Sequence, residues 1–85
     1  MPEDKAIAWL ALEEGTPILA RDGSEIGKVA MVVADEQKDI FSGVTFRPGL
    51  FDDPLFVPVD AIERLTESAV HLNISESSVE KLEKY

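Results

Sequence analysis

Turn formers punctuate this chain so often that a long helix has almost nowhere to form. Gly15-Thr16-Pro17, Arg21-Asp22-Gly23-Ser24, Glu36-Gln37-Lys38-Asp39, Pro48-Gly49, Asp52-Asp53-Pro54 and Pro58 cut it into short segments. Glycine and aspartate favour turn backbone, and proline fixes φ and removes a donor, so each cluster ends the element before it. The segments between are rich in β-branched and aromatic residues, which predicts strands joined by tight turns. The expected fold is all-β, a small antiparallel barrel of about six strands. At 85 residues the chain makes one domain, and its thirty Ile, Leu, Val, Phe, Met, Trp and Tyr side chains are enough for a core.

Alternation places several strands. Val70, Leu72 and Ile74 alternate with His71 and Asn73, giving one apolar face and one wet face. Between Ile40 and Arg47, the residues Ile40, Val44 and Phe46 share a face, with Ser42 the exception. Glu25 to Glu36 reads as one long strand bent near Gly27, where a missing side chain permits a bulge or a close backbone approach. In it Val29, Met31 and Val33 point one way and Ala30, Val32 and Ala34 the other. The expected core is Ile26, Val29, Met31, Val44, Phe46, Val57, Val70 and Leu72.

Two helical pieces are expected. Asp60-Ala61-Ile62-Glu63 has the capping-box form and supports a one-turn helix near 60–64. Ser75 is a suitable N-cap, Ile74 and Val79 suit a hydrophobic staple, and Glu80 with Lys84 forms an i,i+4 pair. These predict a short C-terminal helix near 76–84. Residues 6–12 are open to two readings: their composition favours helix, whereas their shortness and the stop at Gly15-Thr16-Pro17 favour a strand. The division is then an N-terminal strand or extension over 1–14, a barrel over 15–74 and a C-terminal helix over 75–85.

Charge narrows the function classes. Eight Lys and Arg stand against seventeen Asp and Glu, a net −9. Nucleic-acid binding rests on cations that displace counterions from phosphates. Here the basic residues are scattered among acids, so neither direct nucleic-acid binding nor an anionic membrane surface is expected. The longest apolar run, Ala6 to Leu12, has seven residues, against the ~20 that span a bilayer. The acidic opening, Glu3-Asp4, is unlike the basic start of a secretory signal. With zero cysteines a disulfide framework and thiolate chemistry are excluded, and the expected location is cytoplasmic.

No catalytic, cofactor or metal site is expected. His71 is the one imidazole, and Gly23-Ser24-Glu25-Ile26-Gly27 lacks the spacing of a nucleophile elbow. A calcium loop begun at Asp35 would put Ile40 where glycine is required and Phe46 where a glutamate belongs. Gly27-Lys28 is followed by Val29 in place of the hydroxyl residue of a phosphate loop.

Some apolar residues fit the core poorly. Leu50 and Phe51 lie between turn formers, where polar residues are the rule. They either plug one end of the barrel or form an exposed patch. Trp9, with Leu10 and Leu12 in the N-terminal run, has the same two readings. Apolar patches on small domains mark interaction sites, so Trp9, Leu10, Leu12, Leu50 and Phe51 are the candidate interface.

In series, Gly15-Thr16-Pro17-Ile18-Leu19, Asp22-Gly23-Ser24-Glu25-Ile26-Gly27-Lys28-Val29, Phe56-Val57-Pro58-Val59-Asp60-Ala61-Ile62 and Val70-His71-Leu72-Asn73-Ile74-Ser75 resemble the PRC-barrel family. The resemblance covers residues 15 to 75 in the family's order and implies a small antiparallel β-barrel. That family includes the cytoplasmic domain of the photosynthetic reaction-centre H subunit, the C-terminal domain of the ribosome maturation factor RimM, and short stand-alone proteins, which this chain resembles. It implies a non-enzymatic adaptor that docks on another protein. A homodimer is expected from the surplus of apolar side chains. The alternative, by analogy with RimM, is an RNA-linked ribosome assembly or RNA-processing factor.

Overall fold

The computed structural model describes residues 5–49 and 52–85. Among these, seven strands form two sheets: β1 (Pro17–Leu19), β2 (Glu25–Lys28), β3 (Met31–Asp35), β4 (Ile40–Phe46), β5 (Leu55–Pro58), β6 (Ile62–Leu65) and β7 (Val70–Leu72). The first sheet has the order β2-β1-β7-β6 and the second β3-β4-β5. The fold is mostly β, with minor helix, as expected. Two details differ from a simple antiparallel barrel. The two sheets are not closed on each other by strand pairing, and β1 pairs with β7 in parallel, Ile18 opposite Val70 and Leu19 opposite His71.

One dipeptide hands the chain from the first sheet to the second. The Val29 N–H donates to the Thr16 carbonyl at 2.9 Å, and the Ala30 N–H donates to the Thr45 carbonyl at 2.8 Å. Consecutive N–H groups of extended chain point to opposite sides, so 29–30 touches β1's end on one side and β4 on the other. The expected long strand is therefore two strands, β2 and β3, separated here and not at Gly27. Gly27 instead carries the other expected features. Ile18 opposes Gly27 while Leu19 opposes Glu25, which leaves Ile26 as the extra residue of a bulge.

The transition also shifts the phase. Thr45 accepts a hydrogen bond from Ala30 yet stands opposite Met31 in the register. Val29 is buried, Met31 is 39% exposed, and Val32 packs on the core from the next position. Met31 is thus not a core residue. A second slip lies in β4, where Val33 opposes Gly43 and Ala34 opposes Phe41, so Ser42 is unmatched. The slip turns Ile40 outward, 50% exposed, and Phe41 toward the core in its place. Gly43 has φ +151°, and its bare α-carbon lies against the Val57 carbonyl of β5, where a side chain has no room.

The core joins both sheets. Ile18, Val70 and Leu72 come from the first, and Val44, Phe46 and Val57 from the second, all at most 1% exposed. Each such side chain contributes about 1.5–3 kcal/mol relative to its exposed state. Of the other expected core residues, Val29 is buried and Ile26 is half-buried against the cluster.

The helical expectations are corrected. Val59–Ala61 forms a 3-10 turn that begins after Pro58, and Asp60 supplies no side-chain cap. Ile62–Leu65 is strand β6, because Ile62 pairs with Leu72 and Leu65 with Val70. At the C-terminus, α1 spans only Glu76–Val79, and the Ser75 hydroxyl lies near those of Ser77 and Ser78 without capping the backbone. Instead of a continued helix, residues 83–85 run along β5. The Phe56 N–H donates to the Glu83 carbonyl (2.8 Å) and the Tyr85 N–H to the Pro54 carbonyl (2.9 Å). Lys84 accordingly meets Asp53 at 3.5 Å and not Glu80, an exposed pair that adds little. A sheet edge left unpaired is costly to bury, and this tail satisfies it. No helix is long and apolar enough to cross a membrane, among the described residues.

Candidate functional site

The N-terminal arm is neither a strand nor a long helix. The Ile7 N–H donates to the Leu65 carbonyl (3.0 Å), and the Glu67 N–H to the Lys5 carbonyl (2.9 Å), which ties the arm to the end of β6. Trp9–Ala11 then winds into a 3-10 turn closed by Ala11 N–H to Ala8 and Leu12 N–H to Trp9. A single turn of this kind rotates successive side chains by about 120°. The three expected interface residues of this run therefore diverge.

Leu12 turns inward and is 8% exposed, a member of the core. Its side chain is not available to a partner. Trp9 is half-buried and stacks on Phe41 of β4, ring centroids 5.9 Å apart and planes inclined by 6°. Leu10 projects to solvent, 65% exposed. Leu50 and Phe51 lie outside the described residues.

Trp9, Leu10 and Leu12 border a groove of 150 Å³ whose other wall is Val32, Ala34 and Glu36. Its residues are apolar apart from Glu36, but the surface they present to the groove is more polar than apolar. The sequence groups Trp9, Leu10 and Leu12 but does not place Val32 and Ala34 beside them, because those two were expected on the face away from the core. Two wider grooves mix charge with apolar surface. One of 330 Å³ is lined by Ile7, Ala11, Glu13, Thr16 and Glu67. The other, of 350 Å³, is lined by Phe56, Pro58, Lys81, Leu82 and Glu83.

Thr66, His71 and Asp22 make local structural contacts. Thr66 is buried, and its hydroxyl donates to the Ala69 carbonyl (3.1 Å) and accepts from the Ala69 N–H (3.2 Å). His71 Nε2 lies 3.1 Å from the same oxygen. A hydroxyl has a single proton, which either the Ala69 carbonyl or the imidazole accepts, and the His71 tautomer decides which. The arrangement clamps the turn between β6 and β7. Asp22 accepts the Ser24 N–H at 3.0 Å, and this bond holds its carboxyl below the usual aspartate range. Among the described residues no three His, Asp or Glu side chains converge as metal ligands do.

A family model described as PRC-barrel domain matches residues 14–79. No curated protein matches the sequence. The matched span takes in all seven described strands, the handover at 29–30 and α1. The chain belongs to the PRC-barrel family.

Proposed function

We propose that this chain is a non-enzymatic adaptor of the cytoplasm, which docks on other proteins and associates with itself through apolar surface. The observation that carries this reading is Leu10, 65% exposed beside a groove walled by Trp9, Val32 and Ala34. Leu10 costs hydration where it stands, and burial against a partner would recover it. The resemblance to adaptor domains supports the same reading, as does the commitment of Thr66 and His71 to a turn. The surface charge, −9 overall, opposes direct contact with nucleic acid.

Purification of the tagged chain from native extract, with and without nuclease, tests the adaptor role. Bound proteins should survive nuclease treatment, and Leu10→Asp should release them. Recovery of ribosomal particles that are lost on nuclease treatment or in raised salt would contradict it, in favour of the assembly-factor alternative.

A further inference from the structure

The four sheet edges are not alike. The outer edge of β5 is covered by residues 83–85, and the arm at 5–7 bonds the chain at the end of β6. β2 is four residues long, bulged, and carries Glu25 and Lys28 at its ends. Short, bulged and charged strands resist pairing with another chain. β3 is less protected: it is not itself bulged, and its one charge is Asp35 at its end. It is Met31-Val32-Val33-Ala34-Asp35, it lies at the end of the order β3-β4-β5, and no strand pairs with its far side among the described residues. Four of its five residues are apolar. It also forms one wall of the groove beside Leu10.

An edge of this kind is completed by an extended strand, through backbone N–H and C=O groups. We infer that the occupant is β3 of a second copy, antiparallel, with the two-fold axis at Val33. This rests on the self-association proposed above and assigns it a surface. Two identical antiparallel strands always place one residue opposite itself. With Val33 there, Val32 opposes Ala34 and Met31 opposes Asp35 across the whole strand, and no acid faces an acid. The two Asp35 residues are then four residues apart along the pair, about 13 Å at ~3.3 Å per residue. That exceeds the ~8 Å over which exposed charges act at physiological salt. A shift of the axis to Ala34 would bring them to within two residues, and a shift to Val32 would draw in Val29, which is buried. Charge and strand length select the same register. The result is a six-stranded sheet across the dimer, with Leu10 and the groove on the side of Val32 and Ala34.

The absence of cysteine from the chain makes a clean test available. Directly opposed residues of paired strands have Cα atoms about 4.5–5.5 Å apart, within the roughly 4.4–6.8 Å that a disulfide spans. Val33→Cys should give a covalent dimer under mild oxidation, at least tenfold faster than Met31→Cys. The Met31 pair is more exposed yet separated by four residues along the strands. A mixture of Val32→Cys and Ala34→Cys should also cross-link, which keeps the test open if Val33→Cys does not fold. If the natural chain sediments as a dimer while none of these links, or Met31→Cys links as fast as Val33→Cys, the edge assignment is overturned and self-association stands. If the natural chain sediments at 9.3 kDa throughout, both are overturned.

Discussion

Gly27 and Phe46 hold one space between them: a β-carbon at residue 27 would stand 2.7 Å from Phe46 Cδ2. Phe46 is fully buried at the end of β4, and Gly27 sits in the bulge of β2, so the contact joins the two sheets. The ring has no solvent to retreat into. Gly27→Ala should therefore destabilise the fold by about 1–3 kcal/mol through overpacking. Urea unfolding measures it, and Gly27→Ala with Phe46→Leu should lose less than the sum of the single changes.

The phase shift at 29–30 makes a contrasting pair. Leu72→Ala should cost about 2–5 kcal/mol, since Leu72 is 1% exposed and its removal leaves a cavity. Met31→Ala, at a position 39% exposed, should cost less than about 1 kcal/mol in the monomer. Equal losses at the two positions would show that Met31 faces the core after all.

Thr66→Val tests the clamp between β6 and β7. The substitution keeps the shape and leaves the Ala69 N–H, in a residue 2% exposed, without its acceptor. An orphaned buried donor costs about 1–3 kcal/mol. Chemical denaturation should show a loss in that range. Unchanged stability would mean that the hydroxyl's bonds contribute nothing net.

Asp22 sets a pH dependence of known sign. Its carboxyl is held low chiefly by the Ser24 N–H, so the folded chain binds this proton less readily than the unfolded chain. The contribution is present above the ordinary aspartate range, about 3.9, and is lost as pH falls through the lowered folded value. Carbon-detected NMR titration should place the Asp22 midpoint below that of a free aspartate. Ser24→Pro, which removes the N–H, should raise it.

Much of this architecture was legible from the chain because turn chemistry is local. Asp22-Gly23 makes the expected reversal, with Gly23 at φ +92°. Glu36–Asp39 turns between β3 and β4, with Asp35 accepting the Gln37 and Lys38 N–H groups. What escaped were single-residue slips. One unmatched residue inverts the facing of everything beyond it. The Val29–Ala30 handover has no local signature, and Ser42, which breaks the alternation of Ile40, Val44 and Phe46, marks a slip without showing which residues it turns. Met31 and Ile40 were misassigned for that reason. The C-terminal helix was overestimated because its competitor, the free edge of β5, lies far away in sequence. At the candidate site, exposure of Leu10 was legible. The burial of Leu12 was not, since it depends on one 3-10 turn that rotates the arm.

Sedimentation equilibrium of the natural chain tests the central claim, an apolar surface that joins two copies, most directly. At micromolar concentration the mass should be twice 9.3 kDa. Added salt should strengthen association, because it screens repulsion between two chains of charge −9. Leu10→Asp should return the mass toward the monomer with the far-ultraviolet spectrum unchanged. A mass of 9.3 kDa for the natural chain at high concentration and moderate salt would contradict the account.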